Sequence, residues 1–176
     1  MQLYLIRHPR PAVAAGLCYG ATDLPLADDP VACAARLRPQ LPMDLPVFSS
    51  PLQRCRQLAA ALHPVPQCDE RLRELNFGAW ELQAWDAIDR DALDDWAADP
   101  LDFVPPGGES VAALRTRVHA FLHTLSDDAI VVTHAGVIKL VCALLQGLPE
   151  AEWLGLRFDY GSITRISTTT SDAVPR

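Results

Sequence analysis

The sequence predicts an α/β protein, a three-layer sandwich in which helices flank a mostly parallel central sheet. Two observations carry this. Short, largely apolar runs without polar alternation, at residues 3–6, 46–49 and 129–132, alternate along the chain with segments of helical period. Strands that lack polar alternation are buried on both faces, as in a parallel sheet covered by helices. The 176 residues also hold no repeat, low-complexity block or obvious linker, so residues 1–176 are expected to form a single domain. A chain of this length buries about 70% of the surface its unfolded form exposes, enough for one sizeable core.

The elements follow in order. Leu3 to Ile6 reads as a buried strand that runs into Arg7-His8. Residues 9–28, rich in Pro, Gly and Ala, read as loop. Asp29-Pro30 is an N-cap followed by a first helical residue, opening a helix to about Arg38. Pro46 to Ser49 is a second strand, and Ser50-Pro51-Leu52-Gln53 has the form of a capping box for a helix to about His63. A short strand is expected over residues 65–69. Residues 84–97 place Trp85, Ile88, Ala92 and Trp96 on one helical face, and residues 109–125 place Val111, Leu114, Val118, Phe121, Leu122 and Leu125 on another. Ala129 to Val132 is an apolar strand, Val137 to Leu145 an apolar helix, and Ser162 to Ser167 the last strand, followed by a polar tail expected to fray.

Composition narrows the function. The net charge is −7, which argues against nucleic acid or an anionic membrane as partner, so an anionic substrate requires positive charge gathered locally. The five cysteines, Cys18, Cys33, Cys55, Cys68 and Cys142, are odd in number and lack C-x-x-C spacing, which reads as reduced thiols in a cytoplasmic protein. The N-terminal segment has no basic leader, and no uncharged apolar stretch reaches the ~18 residues of a membrane helix.

Two strands end alike, one in Arg7-His8 and one in Thr133-His134, the latter followed by Ala135-Gly136 and a helix. In open α/β sheets ligands bind beyond the carboxyl ends of the strands, so both histidines are expected at one edge. Gly136 and the following helix start would offer backbone N–H groups to an anion. Arg54, in the first turn of the helix after Ser49-Ser50, adds a further cation. Arg7, His8, Arg54 and His134 thus compose a candidate phosphate pocket. A neutral imidazole at His8 can attack phosphorus, two guanidinium forks can clamp the phosphoryl oxygens, and His134 can donate to another oxygen. His119 and His123 have the i, i+4 spacing of a metal pair but lack the H-E-x-x-H glutamate, and they sit on an ordinary amphipathic helix. Glu109 reads as a helix-start charge. Residues 81–102, with eight acidic residues and Arg90 as the one basic residue, read as the solvated face of a lid-like segment.

Five separated motifs fall in one order: Arg7-His8, Ser49-Ser50-Pro51-Leu52-Gln53-Arg54, Leu72-Arg73-Glu74-Leu75-Asn76-Phe77-Gly78, Gly107-Gly108-Glu109-Ser110 and Val132-Thr133-His134-Ala135-Gly136. Together they resemble the histidine phosphatase superfamily over nearly the whole chain, and residues 16–26 resemble its α-ribazole phosphatase branch. The resemblance implies a phosphoglycerate mutase-like fold, a small-molecule phosphomonoester as substrate and a phosphohistidine intermediate on His8; neither cofactor nor metal is expected, because the sequence holds no convincing metal cluster and two arginines can neutralise the phosphate. It implies Glu74 as the proton donor and acceptor, with Glu81 nearby as the competing choice. The chain departs from the family at Pro9, which stands where a glycine is usual, and in Arg10-Pro11-Ala12-Val13, which lacks the family's asparagine. The missing contacts are expected from the backbone near Tyr19 and Gly20, with Tyr19 and Trp80 facing the rest of the substrate. Leu82 replaces another usual glycine. A mutase-like phosphotransferase, a broad phosphatase and a non-catalytic phosphate-ligand or protein-binding module are the alternatives. The short segment between Glu74 and Gly107 disfavours the enclosed site of a mutase.

Overall fold

The computed structural model describes residues 1–167, and the polar tail lies outside them. Among the described residues five strands form one sheet: β1 (Gln2–Arg7), β2 (Val47–Ser49), β3 (Gln67–Cys68), β4 (Ala129–Thr133) and β5 (Ile163–Ser167), in the spatial order β3-β2-β4-β1-β5. The pairs β1/β4, β2/β4 and β2/β3 are parallel, while β5 closes one edge antiparallel to β1.

The alternation of strand side chains splits the core into two layers, because successive residues point to opposite faces. Leu3, Leu5, Ala129 and Val131 pack with Leu114, Val118 and Phe121 of α4 (Val111–Leu122) and with Val137, Ile138 and Val141 of α5 (Ala135–Gln146). Ile6, Ile130 and Val132 point the other way, onto Cys33, Ala34 and Leu37 of α1 (Pro30–Leu37) and Cys55, Leu58 and Ala59 of α2 (Gln53–Leu62). This is the expected sandwich. Among the described residues no helix is long and apolar enough to cross a membrane.

Four local expectations need correction. Ser50 does not open a capping box: α2 begins at Gln53 with Leu52 as an N-cap lacking a side-chain bond, and the Ser50 hydroxyl pairs with His134. The helix expected over residues 84–97 is broken. A 3-10 turn at Trp85–Ala87 precedes α3 (Arg90–Ala98), because the Asp89 carboxylate accepts the Ala92 N–H and caps a new start there. The strand expected at 65–69 is reduced to two residues. A short helix, α6 (Glu150–Gly155), follows Pro149 where none was expected.

Candidate active site

The sheet places three polar residues side by side. His8 extends β1 by one ladder bond, its N–H donating to the Thr133 carbonyl at 3.0 Å, and the Ser50 N–H donates to the Val132 carbonyl at 2.9 Å. His134 follows β4 and precedes α5. The His8 and His134 rings lie 5.1 Å apart at 61°, and both are buried. The two strand-end histidines meet because β1 and β4 are adjacent parallel neighbours in register, Arg7 opposite Thr133.

A cavity of about 230 Å³ opens over His8, while His134, fully buried, does not line it. Arg7, His8, Arg54 and Glu74 make its floor, and Leu17, Tyr19, Phe77 and Trp85 its walls. Arg54 is wholly buried and is aimed by two backbone carbonyls, Gly20 O at 2.5 Å and Thr22 O at 2.7 Å. Arg7 donates to the Phe158 carbonyl at 2.6 Å and lies 3.8 Å from the centre of the Tyr160 ring. The Nε atoms of both arginines are buried without a partner among the described residues. Positive charge is therefore concentrated here in a chain whose net charge is negative.

The protonation pattern of His8 follows from one bond. Its Nδ1 is 2.7 Å from the Pro9 carbonyl, which can only accept, so Nδ1 carries the proton and Nε2 keeps its lone pair. Burial, then the Arg54 charge, with a smaller contribution from Arg7, lowers the His8 pKa to about 3 against the opposing Pro9 bond. Proline at position 9 loses an N–H donor but retains the acceptor that sets this tautomer. His134 is also held neutral, by burial first and then by His8, Arg54, Arg117 and Arg7. Its Nε2 is hydrogen-bonded to Ser50 Oγ at 2.8 Å, with Cys55 Sγ 3.4 Å away.

Glu74 projects from an irregular segment after the 3-10 turn Glu70–Leu72. Its carboxylate accepts the Leu75 N–H at 3.1 Å and the Gly136 N–H at 3.0 Å. The helix-start N–H expected to face an anionic ligand thus faces Glu74. A Cβ at position 136 would collide with that carboxylate, so the close approach depends on glycine. Glu81 is placed otherwise: it accepts from the Ala21, Thr22 and Phe77 N–H groups and the Thr22 hydroxyl. Burial would raise its pKa, but these bonds outweigh burial and lower it.

Other expected positions are distributed unevenly. Tyr19 lines the cavity and shares a 2.6 Å hydrogen bond with the Tyr160 hydroxyl, while burial and that bond raise its pKa. Gly20 stands behind Arg54 and meets it through its carbonyl. Trp80 does not reach the cavity: it is 5% exposed in a cluster with Cys18, Ile88, Trp96 and Phe103, and Trp85 takes the place at the wall. Glu109 pairs with Arg117 at 2.5 Å rather than acting on a helix start alone. His119 and His123 sit on the outer part of α4 and at its C-cap, their Nε2 atoms 3.2 Å apart. Four of the five cysteines are buried and all are free.

Sequence reasoning missed Tyr160, Ser50 as the partner of His134, and Arg117. Tyr160 could have been found only from the pairing of β5: Ile163 lies opposite Ile6, so the residues just before β5 must reach His8.

The histidine phosphatase superfamily (branch 1) matches residues 3–175, and the chain belongs to that superfamily. It is an enzyme of the histidine phosphatase class. The adenosylcobalamin/alpha-ribazole phosphatase of Salmonella typhimurium is 31% identical over 177 residues, covering 92% of this chain and 87% of its own. The crystal structure of the alpha-ribazole phosphatase from Shigella flexneri superposes with a TM-score of 0.83 at 28% identity, over 97% of this chain and 92% of that one. The crystal structure of a phosphoglycerate mutase from Thermus thermophilus gives 0.78 at 37% identity, over 94% and 92%.

Proposed function

We propose that the enzyme hydrolyses α-ribazole 5′-phosphate through a phosphohistidine on His8, in the cytoplasm. The observation that carries the mechanism is the His8 ring, with Nδ1 bound to the Pro9 carbonyl and Nε2 unprotonated beside two guanidinium groups and the Glu74 carboxyl group. In the first half, Nε2 attacks phosphorus and the P–O ester bond breaks. Glu74, which enters this step as the carboxylic acid, gives its proton to the leaving oxygen and is left as the carboxylate. In the second half, Glu74 takes a proton from water, the water oxygen attacks phosphorus and the P–N bond breaks. Phosphate leaves and His8 is again neutral. Arg7 and Arg54 hold the phosphoryl oxygens with charge that does not vary with pH. His134, oriented by Ser50, backs the His8 ring. Glu81 is not assigned a proton, because its oxygens already accept from the loop.

The substrate reading is supported by the activity for which the Salmonella relative is named and by the cavity itself. Two guanidinium groups cannot distinguish one monoester from another, so discrimination belongs to the walls. There Tyr19, Phe77 and Trp85 offer flat apolar faces to a ribose and an aromatic base.

The test is a comparison of kcat/KM for α-ribazole 5′-phosphate, ribose 5-phosphate and 3-phosphoglycerate, with rapid quench on labelled substrate. Acid-labile label should be trapped on the parent enzyme. His8→Ala should lose roughly 10⁴-fold or more in turnover with its fold retained, because no neighbouring group replaces the nucleophile. An active His8→Ala enzyme would refute the mechanism. Equal kcat/KM for all three esters would remove the substrate assignment alone. Phosphate transfer to 3-phosphoglycerate without phosphate release would favour a mutase.

A further inference from the structure

We propose that Arg117 of α4 and Glu109 form a brace that positions the Glu74 carboxylate for proton transfer to the leaving group. The inference rests on the acid–base role given to Glu74 above and assigns that role two supporting residues that do not touch the substrate.

Residues 73–77, which carry Glu74, belong to no helix or strand, so their backbone must be held by something else. Arg117 supplies much of that hold. Its guanidinium donates to the carbonyls of Arg71 at 2.7 Å, Arg73 at 2.6 Å and Glu74 itself at 3.1 Å. The same fork grips both oxygens of Glu109, at 2.5 and 3.2 Å. Glu109 in turn accepts the Asn76 N–H at 3.2 Å and donates its own N–H to the Asn76 carbonyl at 2.9 Å. Glu74 is thus flanked on both sides by bonds that converge on one guanidinium. The ion pair is well shielded, with side-chain exposures of 21% and 23%, so solvent competes little for it.

The Gly107-Gly108-Glu109-Ser110 motif acquires a purpose from this contact. A Cβ at Gly108 would strike the Asn76 carbonyl, so only glycine lets Glu109 approach the segment. The remaining freedom of Glu74 is removed from the far side, where the Gly136 N–H holds the carboxylate and Thr133 Oγ1 fixes the Leu72 carbonyl at 2.8 Å. Arginine suits this task because its planar fork satisfies several acceptors at fixed angles; a lysine ammonium does not.

A brace for the proton donor makes a narrower prediction than a structural clamp. Loss of the brace should hurt esters whose leaving oxygen needs a proton and spare those that do not. Glu109→Gln keeps an amide oxygen for Asn76, and Arg117→Lys keeps the charge. In both, kcat for ribose 5-phosphate should fall roughly 10–100-fold, the effect of a small misplacement of a reacting group. Under the same conditions kcat for p-nitrophenyl phosphate should fall about threefold or less, with both KM values nearly unchanged. Thermal melts run beside the assays confirm that each variant is folded at the assay temperature. The readout that a clamp would not move is the double variant: Glu74→Gln/Glu109→Gln should be no slower on ribose 5-phosphate than Glu74→Gln alone. Equal losses on both esters, no loss on either, or multiplying losses in the double variant would overturn the brace. If Glu74→Gln is selective but the brace variants are not, only this inference fails. If Glu74→Gln is itself unselective, the acid–base assignment fails and the brace with it.

Discussion

The floor of the cavity and its rim are built on different principles. Part of the floor hangs from the sheet: Arg7 ends β1 and His8 follows it, backed by Ser50 and His134 after β2 and β4, whose ladder bonds fix their spacing, while Arg54 comes from α2 and Glu74 from the segment that Arg117 holds. The rim, residues 77–103, contains no strand, and a cluster of rings holds its shape. Trp85 stacks on Trp96 at 5.8 Å and 9°, Trp80 on Phe103 at 5.6 Å and 25°, and Phe77 meets Trp85 edge-on. Glu81 ties this cluster to the loop at 21–22. Chemistry that tolerates little displacement sits on the rigid part, and the walls that meet the variable end of a substrate sit on the adaptable part.

Within the rim, two tryptophans five residues apart should separate stability from selectivity. Trp80 is buried inside the ring cluster, so Trp80→Ala should cost about 3–5 kcal/mol in urea unfolding, the range for emptying a large aromatic site. Trp85 is half-buried and faces the cavity. Trp85→Ala should leave the unfolding midpoint nearer the parent's and raise KM for α-ribazole 5′-phosphate more than for ribose 5-phosphate. If the two variants show the same losses in both assays, the rim is not divided in this way.

The floor should reveal itself in acid. His8 and His134 are neutral when folded and titrate near 6.5 once unfolded. Below pH 6.5 the unfolded chain therefore binds protons that the folded chain does not, and stability falls as pH falls. The stabilisation is fully present above 6.5. For His8 it is lost from there down to a pKa of about 3. Each imidazole contributes a slope of about 1.4 kcal/mol per pH unit. Glu81 at the rim responds only below the ordinary carboxylate range, whereas His119 on α4 is also lowered, by burial and then by His123 and Arg115, and shares the window between pH 6.5 and 5 with the floor. His8→Gln should remove the share of the slope that belongs to one imidazole, about 1.4 kcal/mol per pH unit at most. An unchanged slope would show that the floor histidines are not the acid-sensitive element.

The same division explains what could be read from residue order. The parallel sheet and both helical layers follow from apolar runs and periodicity. Arg7, His8, Arg54 and His134 were visible because each stands beside a strand end or helix start that local pattern places. Trp80 and Trp85 could not be told apart: neither carries a local mark of which faces the cavity, and Asp89 breaks the helix expected around Trp85 by capping a new start. Tyr160 depends on the antiparallel pairing of β5, and Ser50 on a contact with a residue 84 positions away. These are tertiary facts with no local signature. Glu74 lies between the two cases, since its motif named it but only the N–H groups of Leu75 and Gly136 show how it is aimed.

The smallest expected effect lies within the rim. Leu82 has φ of +65°, the one non-glycine residue with positive φ among the described residues. An L-residue in the left-handed region costs about 1–2 kcal/mol because its Cβ crowds the neighbouring carbonyl. The turn is held there by its neighbours: the Leu82 N–H donates to the Cys18 carbonyl at 2.7 Å, and Glu81 beside it is fixed to the 21–22 loop. The Leu82 side chain is 49% exposed, so little packing is at stake. Leu82→Gly should relieve the crowding but add freedom to the unfolded chain, worth about 0.4–1 kcal/mol in the opposite sense. The net gain is up to about 1 kcal/mol, read as a higher urea midpoint at unchanged slope. Leu82→Ala is the control, because it keeps a Cβ and so keeps the strain while removing the same exposed side chain. Stabilisation by alanine as well as glycine would place the effect in the side chain instead of the backbone. Destabilisation by glycine would mean that Leu82 packs the rim more than its exposure implies. Stabilisation by glycine alone, with kcat unchanged, would show that this strain belongs to the rim and is not transmitted to the chemistry below it.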